Sequence, residues 1–536
     1  MTSLRRATAV MTFGTVLSRL TGLLRVAAIA AALGATESRL ADTYNLANTA
    51  PNIIYELALG GILTSVFVPV FVELLEKEGR ERAWQVASAL INVSVAVLVA
   101  LATLGVLLAP LIADFYSGRL EGTDQALQKD TLTFLLRLFI PQIIFYGLTA
   151  MTAGLLNAHK RFGAPMYTPI LNNLAVIAVF FFFSRAYGLV GLEDAGTGEL
   201  LLIGLGTTAG VALMAFAQLP FLRGLGHYRW TFSIRHPSVK KLAKLSVFVV
   251  GYVIVNQIGF IVVQWLANQQ QGGYSAYVYA FTFFMLPHGL FAVSVLTALL
   301  PGMSEQAVGA RWDEFRQRLS TGVRATMLLV LPAAVGYFVL ADPIIDFLLH
   351  RGVMTSRSTE LVAGVLKLFV IGLVPFSIFQ LFLRAFYALQ NTKTPFLINC
   401  VSVGLNTAIN IPMFALLRVR GLAIGHAVAY TIGVVLQGRA LSRRIGGLDL
   451  ARILRSGVRI SIAAAGMGLA VWGASVGASR LIAGDGLIPD ALELSIPVGI
   501  GVAAYLLLAH LLHVEELDLA RGIVGSRFKR TTGTGR

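Results

Sequence analysis

Residues 7–33 read ATAVMTFGTVLSRLTGLLRVAAIAAAL, an apolar run in which Arg19 and Arg25 are the only charged side chains. At 1.5 Å per residue it is long enough to cross about 30 Å of hydrocarbon. It is too long for the apolar core of a signal peptide and lacks a convincing cleavage site, so it is expected to remain as a first membrane span. Lipid offers backbone amides no hydrogen-bond partner, so a run of this kind must be helical.

Working outward, similar runs recur along all 536 residues. Hydrophobic residues make up 56% and charged residues 13%, too few polar groups to cover a water-facing surface of this size. The expected spans are 8–33, 40–72, 83–113, 131–157, 164–184, 199–222, 245–268, 274–303, 325–349, 360–390, 395–417, 421–438, 460–478 and 492–513. The fold class is therefore all-α and polytopic, with about 14 transmembrane helices. A membrane barrel would show short alternating segments, which are absent. Cys400, the one cysteine, lies inside an apolar run, which excludes an intrachain disulfide or a thiol-based metal cluster. No cofactor and no metal are expected.

The net charge of +16 raises the question of nucleic acid, and the placement of the charges answers it. With a cytoplasmic N-terminus, 29 Lys and Arg fall in cytoplasmic connections, 9 in outer ones and 5 within spans. Arg223, Arg229, Arg235, Lys240, Lys241 and Lys244 share a single connection. This is the asymmetry of the positive-inside rule, with both termini cytoplasmic. No soluble domain remains to present a basic face, so the partner is the bilayer and not nucleic acid.

The chain also repeats itself. Leu136-Arg137-Leu138-Phe139-Ile140 recurs as Leu366-Lys367-Leu368-Phe369-Val370, and Pro165 recurs as Pro395, both at an offset of 230. Ser65, Pro69 and Glu73 match Thr297, Pro301 and Glu305, and Pro51 matches Pro287. Two six-helix lobes in the same orientation follow, 1–225 and 226–445, with helices 13 and 14 (446–515) outside the repeat and a tail at 516–536. Two parallel halves facing a central cavity are the architecture of a transporter.

Charges within spans cost about 2.5–3.5 kcal/mol each on insertion scales and demand a reason. Arg19 and Arg25 lie about 16 and 25 Å along helix 1. On helix 2, Asp42, Asn45, Asn48, Asn52 and Glu56 form a polar stripe at spacings of 3, 3, 4 and 4, kinked by Pro51. Asp42 and Glu56 are expected to hold the two arginines when the site is empty. Arg137 and Lys367 are repeat-related cations, Arg384 lies near a helix end, and Asn173 adds an amide on helix 5. Five cations against two deep carboxylates favour an anion such as a diphosphate, which guanidinium groups clamp through paired hydrogen bonds.

The stretch Ser18-Arg19-Leu20-Thr21-Gly22-Leu23-Leu24-Arg25, then Asp42, Pro51-Asn52 and Gly60 through Pro69, resembles the start of the MurJ (MviN) family. Asn157 through Pro165, Pro395 and the 6+6+2 arrangement extend the likeness over nearly the whole chain. The resemblance implies a flippase for lipid II, the undecaprenyl-diphosphate-linked peptidoglycan precursor. It also implies a V-shaped cavity between the lobes and a groove on helices 13 and 14 for the polyprenyl tail. Ser18, Arg19, Arg25 and Asp42 match positions where the family places functional groups. The chain departs from the pattern at Val26, where many relatives have an acid, and at Tyr55 and Glu56, where many have arginines. The run from Phe281 to Pro287 is uncharged where relatives often carry an arginine and a glutamate.

Other readings stay open at this point. A polysaccharide-lipid flippase or a multidrug antiporter of the same superfamily would share the architecture. A membrane-embedded glycosyltransferase would need an acidic or metal-binding loop, and the loops hold no Asp-x-Asp, clustered histidines or nucleotide-binding glycine motif. The expectation is a transporter and not an enzyme. A non-transporting scaffold, or membership of a cell-wall synthesis complex, is compatible with the same sequence.

Overall fold

The computed structural model describes residues 2–57, 68–232, 237–482 and 486–517, and every regular element among them is a helix. Gly60, Ser65, Arg235 and the tail from Arg521 lie outside the described residues. The chain begins with α1 (Thr2–Leu33), α2 (Arg39–Tyr55), α3 (Val68–Lys77), α4 (Gly79–Ser117), α5 (Thr123–Phe139), α6 (Gln142–Ala158), α7 (Gly163–Tyr187) and α8 (Thr197–Phe216). It continues with α9 (Pro237–Ala267), α10 (Gly273–Pro287), α11 (Val293–Val308), α12 (Trp312–Leu349), α13 (Ser356–Ile371), α14 (Leu373–Ala388), α15 (Lys393–Leu417) and α16 (Val419–Ile445). The last two described helices are α17 (Leu450–Leu481) and α18 (Leu487–Leu511).

Among the described residues, 12 helical segments are long and apolar enough to cross a membrane, and a thirteenth arises if the bent pair α13–α14 counts as one span. The difference from the expected fourteen falls at residues 40–72. There α2 has 17 residues, about 25 Å of helix, and the chain leaves the described residues before α3 begins. The remaining expected spans each coincide with a helix or a broken helix pair.

The breaks have local causes. Pro51 lies inside α2, and the helix widens into a π turn at residues 56–57. Pro287 ends α10, and a π turn follows at His288–Ala292. Proline removes one helical donor and crowds the preceding turn, so the hydrogen-bond register shifts nearby. Pro141 separates α5 from α6, and the chain bends by 49° between α13 and α14 at Gly372. The sequence repeat therefore reappears in the backbone. Both α7 and α15 are 25 residues long, with Pro165 and Pro395 as their third residues, where a proline is tolerated.

The chain divides into two compact units, Met1–Tyr279 with Leu349–Ser358, and Ala280–Leu348 with Thr359–Arg536. Within the first, α1 packs on α7 and α7 on α8. Helices in lipid gain little from apolar burial and associate through close packing and hydrogen bonds. Gly147 of α6 shows why a small residue is needed, since a Cβ there would stand 2.1 Å from Leu98 Cδ1 of α4. In the second unit, Phe315, Leu319, Phe382, Phe386 and Leu441 form one core cluster. Leu328, Ile460, Met467 and Tyr505 form another, which joins α12 to α17 and α18. The Tyr505 hydroxyl donates to the Leu328 carbonyl at 2.7 Å across that junction. Leu107, Phe181, Phe182, Leu469 and Trp472 point outward, as a lipid-facing surface requires.

Candidate functional site

The site grows from α1. Arg25 is half-buried, and its Nε is enclosed with no hydrogen-bond partner. The hydroxyls of Tyr44 on α2 and Tyr146 on α6 lie within its electrostatic reach. Tyr44 is fixed by a 2.9 Å bond to Thr207 and by edge-on contacts with Phe139 and Phe180. The Tyr146 hydroxyl donates to Gln142 Oε1 at 3.4 Å, with the Asn52 side chain close by. Tyr55 lies beside it, ring centroids 6.2 Å apart. Arg19 is exposed, six residues earlier on α1. Ser18 is half-buried, and its carbonyl accepts from Thr21 Oγ1 and Asn173 Nδ2, which also bonds Thr21 Oγ1 at 3.0 Å. Asn173 thus ties α7 to α1.

The polar stripe on α2 changes character along its length. Asp42 and Asn45 are buried, Asn48 and Glu56 half-buried, and Asn52 exposed. Asp42 does not hold an arginine of α1, as the sequence led one to expect. Its carboxylate accepts from the backbone N–H of Gly272 at 2.7 Å and of Ser275 at 2.8 Å, and from Ser275 Oγ at 2.8 Å. These are the free donors at the start of α10, where a helix attracts negative charge. Gly272 adopts φ +73° against the Ala35 carbonyl, a conformation and a closeness that favour glycine. Asn45 donates to Ser275 Oγ at 3.0 Å. Glu56, also expected to hold an arginine of α1, forms no ion pair among the described residues.

Around Asp42 lies a wider set of bonds. Arg39 pairs with Asp124 at 2.8 Å and donates to the Asn268 carbonyl at 3.2 Å. Gln128 bonds Asn268 and Thr43. In the connection from α1 to α2, Glu37 accepts from the N–H of Thr355 at 2.8 Å, from Ser358 Oγ at 2.8 Å and from the N–H of Ala35 at 2.6 Å. Burial alone would raise its pKa, but the bonds from Thr355, Ala35 and Ser358 outweigh that and hold the carboxyl below its usual range. Val353 N–H donates to the Ala31 carbonyl at 3.0 Å, so the segment 350–358 is fastened to the end of α1.

Arg137 is exposed and has no ionic partner among the described residues, whereas its repeat mate Lys367 pairs with Asp342. Sequence reasoning missed Glu37, Ser275 and the buried ion pair of Arg324 with Glu516, both about 2% exposed at the side chain. Ser456 Oγ supports Glu516 at 2.7 Å, and Arg452 pairs with Glu515 at 2.8 Å. Arg324 sat one residue outside an expected span, and a cation at such an edge reads as a loop charge. In the same unit His426 is enclosed by Phe281, Phe284, Phe369, Phe376 and Tyr430. No group of His, Cys, Asp or Glu suited to a metal occurs among the described residues.

Many apolar crossings, broken at repeat-related positions, and a half-buried arginine whose Nε lacks a protein partner mark a polytopic membrane protein. A family model described as lipid II flippase MurJ matches residues 29–484, and the chain belongs to that family. A lipid II flippase MurJ of Burkholderia cenocepacia is 30% identical over 431 residues, covering 78% of this chain and 79% of the relative. A probable lipid II flippase MurJ of Rhizobium meliloti is 29% identical, covering 90% and 91%. Among solved structures, a lipid II flippase MurJ in an inward closed conformation superposes with a TM-score of 0.75 at 24% identity, covering 95% of this chain and 99% of that one. An inward-facing multidrug resistance MATE transporter superposes at 0.63 with 11% identity, a likeness of fold alone.

Proposed function

We propose that this protein moves lipid II from the cytoplasmic to the outer leaflet by alternating access, without covalent chemistry. Family membership supports the cargo, and the observation that carries the site is half-buried Arg25, whose enclosed Nε has no protein partner. A buried N–H donor without a partner is costly, and a diphosphate oxygen would satisfy it. Arg19, exposed on the same helix, would meet the headgroup first, with Ser18 and Asn173 fixing the local backbone. The N- and C-termini are cytoplasmic in this reading, the two six-helix lobes rock about the site, and α17 and α18 guide the polyprenyl tail.

The bonds of Asp42 and Glu37 would close the outer end while the headgroup enters and part as it leaves. Outward movement of a polyanion is favoured by an inside-negative potential, by about 2.3 kcal/mol per charge per 100 mV. The test is genetic and chemical. Depletion of the host's own flippase should trap lipid II in the cytoplasmic leaflet, and expression of this chain should relieve the block. Persistent accumulation despite correct membrane insertion would exclude the function.

A further inference from the structure

Glu56 is the feature that the diphosphate site does not absorb. It is half-buried, and among the described residues it has neither a cation nor a hydrogen-bond donor. An uncompensated carboxylate repels a diphosphate, so the part of the cargo that meets this turn of α2 must be neutral or cationic. Tyr55 precedes it in sequence and is half-exposed, and the Tyr146 ring stands 6.2 Å away, tilted by 46°. The exposed amide of Asn52 lies near enough to act on the Tyr146 hydroxyl. An aromatic ring from each of α2 and α6, with an amide and a carboxylate acceptor on the α2 side, suits a pyranose ring. Its C–H face lies on an aromatic surface while its hydroxyls and acetamido N–H reach polar atoms.

We propose that Tyr55, Tyr146, Asn52 and Glu56 form a subsite for the glycan of the headgroup, separate from the phosphate-binding guanidinium of Arg25. Arg25 lies within electrostatic reach of Tyr146, so one tyrosine borders both subsites and sets the distance between sugar and diphosphate. Tyr146 is held on its far side by Gln142, which keeps the ring in place without a ligand. Recognition then has two parts. The arginine accepts any polyprenyl diphosphate, and the tyrosine pair selects those that carry a sugar.

This rests on the flippase reading above, and the test separates the two. The full-length protein in lipid nanodiscs is titrated with lipid II and, separately, with undecaprenyl diphosphate, which has no glycan. Tyr55→Ala should weaken lipid II binding about tenfold and change undecaprenyl diphosphate binding less than about twofold. Tyr55→Phe, which keeps the ring, should restore most of the loss. Glu56→Gln should bind undecaprenyl diphosphate at least as well as the unaltered protein. Equal losses for both lipids, or no loss for either, would overturn the glycan subsite and leave the flippase reading standing. Failure of the unaltered protein to bind either lipid would overturn both.

Discussion

The two halves of the repeat share their backbone breaks but not their chemistry. Pro51 and Pro287 each precede a π turn, and α5–α6 and α13–α14 break after the same five-residue motif. Phe139 and Phe369 occupy equivalent places, yet the first packs on a tyrosine next to Arg25 and the second on His426 inside an aromatic cluster. Among the described residues, Arg19, Arg25 and Arg137 of the first half have no ionic partner, whereas Lys367 is paired with Asp342. Arg324 of the second half is likewise paired, buried against Glu516. The two halves thus share their breaks but differ in the partners of the equivalent cations Arg137 and Lys367, and under the proposed function cargo recognition is concentrated in the first half.

That contrast can be broken at its strongest point first. Arg324→Met leaves Glu516 buried without its cation and should cost about 3–5 kcal/mol of stability, read as a lowered melting temperature in detergent. Arg324→Met combined with Glu516→Met should recover most of that loss. If the double variant melts as low as the single one, Arg324 does more than balance a buried carboxylate. Asp42→Asn, on the other half, keeps the shape but weakens charge-assisted bonds to Gly272 and Ser275. It should lower stability by roughly 2 kcal/mol and, on the proposed closing role of these bonds, slow transport as well.

Glu37 sharpens the comparison through pH. Its folded pKa is lowered, so its contribution is complete above the unfolded carboxylate range and is lost as pH falls through the lowered value. Glu37→Gln should therefore melt below the unaltered protein at pH 7, by an amount equivalent to less than about 1 kcal/mol given its partial exposure. The gap should close in acid and stay constant between pH 6 and 8. The smallest effect is expected at His426. His426→Phe replaces one ring with another of similar size in an aromatic shell and should change stability by less than about 1.5 kcal/mol, with transport preserved. A large loss of transport there would give the second half a chemical role that its packing does not require.

Much of this was legible in the sequence because lipid leaves so few choices. Apolar length fixed the helices, and the offset of 230 between Pro165 and Pro395 anticipated two helices of equal length. The span at 40–72 was less readable, because hydropathy averages over the break after Pro51. The stripe from Asp42 to Glu56 was found by its spacing, but spacing says nothing of partners. Asp42 faces the N–H groups of Gly272 and Ser275, 230 and more residues away, and backbone donors leave no signature in side-chain identity. Glu37 escaped for the same reason, its partners being an amide and hydroxyls on a connection far along the chain. The pairing of Lys367 with Asp342 was hidden because Lys367 was read through its repeat mate Arg137, and a repeat says nothing of a partner on another helix.

The central claim is that positive charge free of protein partners in the first half binds the diphosphate. Its most direct measurement is lipid II translocation in proteoliposomes by the unaltered protein, Arg25→Ala and Lys367→Ala, each checked for folding. A fall of about tenfold to hundredfold in Arg25→Ala, with Lys367→Ala close to unaltered, is the predicted result. Normal translocation by Arg25→Ala, or equal loss in both variants, would contradict it.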